Sequence, residues 1–233
     1  MKWTKAEDEL LITLREAGVQ YRNKLPHFPG RSQDALRNRM GYLRNVERMD
    51  DLDNQIIGVF DIETTDLKAD IGFMMSWAVY YPNEDRTVSD VIKKREVSNL
   101  SFDKRICKSL RKELDNIDLL IGYYSTKFDI PYVRTRCLMN GVSFPEYGTI
   151  RHTDCFYAAR GKVATSRKSL GVIAEALGVD DKTHEPKSVW RKARYGHEPS
   201  LAKLLAYNEN DCRVTWQVYN ELKKYGKYTS KSI

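Results

Sequence analysis

Residues 56–61, Ile-Ile-Gly-Val-Phe-Asp, form an apolar run that ends on a carboxylate, and a second carboxylate, Glu63, follows two positions later. An apolar run of this length suits a buried strand. Successive side chains in a strand alternate faces, so Asp61 and Glu63 share one face while Ile62 points the other way into apolar packing. Two like charges held close at the end of a buried strand repel, and a divalent cation between them offsets that cost. Oxygen-only ligands select hard ions, here Mg²⁺ or Mn²⁺. The D-x-E spacing alone is common on solvated surfaces; the strand leading into it is what constrains the fold.

Two further acidic positions have a definite local setting. Asp129 follows an apolar segment, Asp118 to Gly122, and precedes Pro131, where a helix can begin. An aspartate there can serve simply as a helix cap. Tyr207 and Asp211 are four residues apart in a helical pattern running from about Pro199 to Tyr225, so they share a face. Leu204 lies on that side and predicts that the face looks inward, where an aspartate needs a partner.

The other elements expected are a strand at Met74–Tyr81, a third strand near Arg95–Val97, a basic helix at about Phe102–Leu114 and a helix at Ser169–Leu177. Strands first and helices interleaved later predict a mixed α/β domain with a central sheet, from residue 55 to the C-terminus. Residues 223–231, with Lys223, Lys224, Lys227 and Lys231, read as a mobile tail.

Ahead of that domain, residues 1–46 predict three short helices. Thr4 and Glu7 have capping-box spacing, Leu10, Leu11 and Leu14 follow, and Gly18 is a stop. A second helix is expected over about Val19–Leu25, then a turn through Pro26–Gly30. Ser32 caps a third helix with Ala35, Leu36, Met40 and Leu43 as its buried stripe. Gln33, Arg37, Asn38 and Arg44 face outward and Arg31 lies at its start; these side-chain types suit base edges and phosphates, although such a face is usually merely solvated. Residues 47–54 (ERMDDLDN) read as a linker.

Composition narrows the partners. The 233 residues carry 39 Lys+Arg against 32 Asp+Glu, a net charge of +7, which favours a polyanion. No apolar run approaches the ~18 residues of a membrane span, and the charged N-terminus is unlike a secretory signal, so no membrane association and a cytoplasmic location are expected. The four cysteines are scattered, with no metal-binding or disulfide spacing, and are expected to be reduced and mostly buried.

Two resemblances add to this reading. Trp3, Thr4, Glu7, Asp8, Leu10, Leu11, Pro29 to Ser32, Ala35 and Arg39 give a pattern that resembles a Myb/SANT-like helix-turn-helix repeat, with Tyr21 or Phe28 and Tyr42 in place of its later tryptophans. In that family the third helix docks on DNA, and some members bind proteins. Over residues 55–222, Asp61-Ile62-Glu63-Thr64-Thr65, Phe128-Asp129-Ile130-Pro131-Tyr132 and Tyr207-Asn208-Glu209-Asn210-Asp211 resemble, in order, the three motifs of the DEDD exonuclease superfamily in its tyrosine form. The stretch from Thr153-Asp154-Cys155 to Gly178 is similar to the segment linking the last two motifs. Where the family often carries Asn before Phe-Asp this chain has Tyr124 and Lys127, and Asp66 stands where Gly often follows D-I-E-T-T.

This resemblance implies a ribonuclease-H-like mixed sheet flanked by helices, as in the proofreading domains of family B DNA polymerases, and 3′→5′ phosphodiester hydrolysis with two Mg²⁺ or Mn²⁺ ions. Asp61, Glu63 and Asp211 would be direct ligands, with Asp61 shared between the ions and Asp129 acting close by. Tyr207 would orient the attacking water, and Thr64, Thr65 and Phe128 would lie against nucleic acid, with DNA favoured over RNA because of the Myb-like module. Arg160, Lys162, Arg167 and Lys168, interleaved with Tyr157, Trp190 and Tyr195, can grip single-stranded phosphates and stack bases, or form a solvated insertion. An endonuclease or ribonuclease on the same fold, and a binding protein with an inactive nuclease-like domain, are the competing expectations.

Overall fold

A computed structural model describes residues 3–33, 35, 36, 39, 40, 43, 55–179, 185–226, 228 and 231–233. The chain divides into two compact units, Met1–Gln55 and Ile56–Ile233.

In the first unit, helix α1 (Lys5–Glu16) starts from the expected capping box: Thr4 Oγ1 accepts from Glu7 N at 3.3 Å and the Glu7 carboxylate takes Thr4 N at 2.9 Å. Helix α2 is shorter than expected, Tyr21–Lys24, because a 3₁₀ turn at Leu25–His27 takes over where Pro26 removes a donor. Residues 33, 35, 36, 39, 40 and 43 are helical, and Leu36, Met40 and Leu43 pack with Leu11 and Phe28 as the unit's core. The expected linker at 47–54 lies outside the described residues, as do Arg37, Asn38, Tyr42 and Arg44.

The second unit is built on a six-stranded sheet. Strands β1 (Ile57–Thr64), β2 (Met74–Tyr81), β3 (Arg86–Val91), β4 (Leu119–Gly122), β5 (Arg151–Asp154) and β6 (Lys231–Ser232) lie in the order β3-β2-β1-β4-β5-β6. The β1–β4 and β4–β5 pairs are parallel and the others antiparallel. Between strands run α3 (Lys94–Ser98), α4 (Lys104–Leu114), α5 (Asp129–Met139), α6 (Cys155–Lys162), α7 (Leu170–Leu177), α8 (Lys187–Ala193) and α9 (Glu198–Lys223).

Strand alternation divides the core into two layers. Phe60 and Ile62 of β1, with Trp77 and Val79 of β2, face α4 and α5 through Ile106, Leu110, Ile130 and Val133. Val59, Ala78, Leu119 and Ile121 face α6, α7 and α9 through Ala159, Ile173, Val214 and Val218. Val59 shares its face with positions 61 and 63, so the alternation that buries Val59 aims Asp61 and Glu63 at the α9 side.

Two expectations are corrected. The third strand is Arg86–Val91, and residues 95–97 belong to α3, where Glu96 accepts from Lys93 N and pairs with Arg105. Lys231 and Ser232 are not a loose tail but pair with β5 as β6, with Ile233 buried behind them. All four cysteines are buried and free. Among the described residues, no helix is long and apolar enough to cross a membrane.

Candidate metal centre

Strand β1 outruns its parallel neighbour. Its pairing with β4 ends at Val59↔Ile121, while residues 60–64 continue, paired on the other side with β2. On the uncovered side the strand's N–H groups need acceptors other than a ladder. Asp129, the first residue of α5, supplies one: its Oδ1 accepts from Ile62 N at 3.2 Å. The aspartate that sequence alone could assign to helix capping is therefore tied to the strand that carries Asp61 and Glu63.

The loop that delivers Asp129 is organised by Asp154, at the end of β5. Asp154 Oδ1 accepts from Tyr124 N (2.8 Å) and Phe156 N (3.0 Å), and its Oδ2 from Thr126 N (2.9 Å). These bonds hold Tyr124 at a φ of 62°, a left-handed conformation unusual for a tyrosine.

Helix α9 completes the cluster from the opposite layer. One carboxylate oxygen from each of Asp61, Glu63 and Asp211 lies within 4.8 Å of the others. Asp211 is buried, as its helical face with Leu204 predicts. Around these acids is a cleft of about 620 Å³ lined also by Thr64, Thr65, Tyr124, Phe128, Asp129, Trp190 and Tyr207. Three hard oxygen donors converging from two elements, with a fourth carboxylate beside them, fit a divalent ion of the Mg²⁺ or Mn²⁺ type.

The electrostatics are those of crowded acids, of which Asp129 and Asp211 are buried. Asp129 is pushed up to about 7, first by burial and then by the charges of Glu63 and Asp154, even though Ile62 N and its own backbone N–H favour the charged form. A cation in the cleft opposes that upward push.

Three residues hold the acids in place and were not anticipated as such. Asn208, fully buried on α9, donates from Nδ2 to Asp61 Oδ2 at 2.5 Å and accepts from Ser76 Oγ of β2 at 3.0 Å. Trp190 of α8 donates its indole N–H to Glu63 Oε2 at 2.7 Å, and its ring stands edge-on to Tyr207 with centroids 5.2 Å apart. Ser76 left a trace in the sequence as the hydroxyl within the apolar run Met-Met-Ser-Trp-Ala-Val-Tyr-Tyr. From sequence, Trp190 is a base-stacking side chain or part of a solvated insertion, because nothing local places α8 over β1.

The remaining sequence-derived positions separate into groups. Thr64 and Thr65 line the cleft while bracing its rim: Thr64 Oγ1 donates to Asp66 O at 2.8 Å, and Thr65 Oγ1 accepts from Phe73 N at 2.9 Å. Phe128 lines the cleft with its ring against Tyr132. Lys168 is committed to its own loop, its ammonium donating to Val163 O, Thr165 O and Thr165 Oγ1. Lys162 donates to Leu222 O and Gly226 O. Arg160 and Arg167 are exposed and do not line the cleft.

In the N-terminal unit, Arg31 is taken up internally. Its guanidinium forms two bonds of 3.0 Å with the Glu7 carboxylate and lies 4.2 Å from the Trp3 ring centre. That pairing engages its fork on α1. Gln33 is half-buried, and Arg37 and Asn38 lie outside the described residues.

Comparison with known proteins agrees with this fold. The family model described as RNase_H superfamily (RNase_H_2) matches residues 59–223. Among solved structures, the family B DNA polymerase from the hyperthermophilic archaeon Pyrobaculum calidifontis is similar over 73% of this chain, with a TM-score of 0.51 and 20% identity. At that identity the likeness speaks to the fold, and this chain covers 25% of the polymerase. No curated protein matches.

Proposed function

The chain belongs to the RNase H superfamily, and on that premise we propose that residues 56–233 form a metal-dependent 3′→5′ exonuclease of the tyrosine-type DEDD group, acting on DNA in preference to RNA. The observation that carries this reading is the convergence of Asp61, Glu63 and Asp211 oxygens within 4.8 Å at the open end of β1. Asp129, bonded to the same strand, and Tyr207, one turn before Asp211, complete the set that the three sequence motifs imply.

Two divalent ions held by Asp61, Glu63 and Asp211, with Asp129 alongside, would supply activation of water and neutralisation of the developing charge on the leaving oxygen. The chain's own residues do the rest. Asn208 and Trp190 fix the rotamers of Asp61 and Glu63, so little reorganisation is needed when substrate arrives. Tyr207 lines the cleft, and its phenol, a donor and acceptor, is suited to orienting water. Tyr124, 45% exposed at the rim, and Phe128 offer ring faces on which terminal bases can stack.

For the N-terminal unit we propose a Myb/SANT-like DNA-binding role that brings duplex to the nuclease. Its support is the sequence pattern together with the core of Leu11, Phe28, Leu36, Met40 and Leu43.

The test uses 5′- and 3′-labelled single- and double-stranded DNA and RNA with Mg²⁺, Mn²⁺ or chelator. The 5′-labelled DNA strand should shorten progressively from its 3′ end, releasing nucleoside 5′-monophosphates. Cleavage only at internal positions, or only of RNA, would replace this reading with an endonuclease or a ribonuclease on the same fold.

A further inference from the structure

We propose that Trp190 is a positioning residue of the metal centre, whose indole N–H sets the Glu63 carboxylate for ion binding while its ring seats Tyr207. The inference rests on the metal-dependent reading above and adds a residue that the three acidic motifs do not contain.

Indole is a donor only, so Trp190 can neither ligate a cation nor accept a proton. A 2.7 Å bond from such a group to a carboxylate serves to orient the acid. Glu63 is the longest of the four acidic side chains and lies at the step where β1 shifts its register against β2, between Glu63 and Thr64. One Glu63 carboxylate oxygen lies within 4.8 Å of oxygens of Asp61 and Asp211, so orienting this carboxylate orients the cluster.

The indole is itself well fixed. Trp190 is half-buried and packs against the buried core cluster that includes Ala193, Leu201 and Leu204. Its helix is anchored through Val189 and Ala193, both buried. The turn from α8 into α9 passes through Gly196, whose φ of 77° and approach to the Lys94 backbone leave no space for a Cβ, at 2.8 Å from Lys94 Cα. This tight turn sets α8 against α9, so that one ring meets Glu63 on β1 and Tyr207 on α9, crossing the latter at 82°. Outer partners of this kind are worth about 10–100-fold in metal affinity.

The experiment measures Mn²⁺ binding to the metal-stripped full chain, by electron paramagnetic resonance of free Mn²⁺, with melting temperatures recorded in chelator. Trp190→Phe keeps a ring against Tyr207 and removes the N–H. It should bind Mn²⁺ about 10-fold more weakly than wild type, with little change in the metal-free melting temperature. Val189→Ala, buried on the same helix and making no hydrogen bond to Glu63, should lower that temperature and leave Mn²⁺ affinity within about two-fold, below the outer-partner range. Wild-type affinity in Trp190→Phe, or an equal loss in Val189→Ala, overturns the inference and leaves the nuclease reading standing. If wild type itself binds no Mn²⁺, the metal-dependent reading and this inference fall together.

Discussion

Asn208 donates its side-chain amide to Asp61 at 2.5 Å while accepting from Ser76, so a polar chain runs from β2 through α9 to the carboxylate on β1. The bond fixes Asp61 in the orientation that aims it at Glu63 and Asp211, and it ties the two strands to the helix that brings Asp211.

Asn208→Ala leaves the Ser76 hydroxyl and the Asp61 carboxylate each short of a partner. The expected result is a rise of about 10-fold or more in the Mn²⁺ concentration needed for half-maximal hydrolysis. A metal titration of the cleavage rate checks it; an unchanged midpoint would mean that Asp61 needs no such support.

The raised carboxyl of Asp129 makes stability depend on pH. Its protonated form is favoured in the fold, so its contribution is fully present below the unfolded value near 4 and is lost as pH rises through about 7. Chelator-treated protein should therefore weaken from pH 5 to pH 8, with this group contributing up to about 1.4 kcal/mol per pH unit. Urea unfolding at several pH values should show a shallower slope for Asp129→Asn, and also for wild type in Mn²⁺. Equal slopes in all three would contradict the assignment.

Asp103 ties the start of β2 to α5. It is fully buried, pairs with Arg136 at 2.7 and 2.9 Å, and accepts from Met74 N and Asn140 Nδ2, both at 2.9 Å. Arg136 also donates to Ala69 O in the loop after β1. Removing one partner of a buried ion pair strands the other, so Asp103→Ala should cost about 3–5 kcal/mol in urea unfolding. A loss under ~1 kcal/mol would place this pair with ordinary surface pairs.

In the N-terminal unit, Thr4→Ala removes the hydroxyl that caps α1 and should cost that helix about 1 kcal/mol. Hydrogen exchange read at the amides of residues 5–16 should accelerate about five-fold on that account. No change there would mean that packing of Leu11 and Phe28 alone holds the helix end.

Strand alternation carried much of this structure in the sequence. The apolar run before Asp61 located β1, alternation put Asp61 and Glu63 on one face, and the four-residue spacing put Tyr207 and Asp211 on another that looks inward. Residues acting across the fold were not legible in the same way. Asn208 and Ser76 are far apart in the chain, and Trp190 meets Glu63 only after α8 is turned onto α9 at Gly196. Within the basic segment, the ammonium of Lys168 bonds to its own loop, which composition cannot foresee. The strand expected at 95–97 failed because Glu96 closes a helical turn on Lys93, a choice made by local hydrogen bonding rather than by apolar pattern.

The most direct test compares wild type with Asp211→Asn on 5′-labelled single-stranded DNA in Mn²⁺, with a chelator control. Asp211 is the one acid brought by α9 to the pair on β1, so its loss should dismantle the shared site. The account predicts metal-dependent shortening by wild type, none in chelator, and a rate at least about 100-fold lower for Asp211→Asn, at or beyond the range of outer-shell losses. Equal rates for the two proteins, or hydrolysis that persists in chelator, would contradict it.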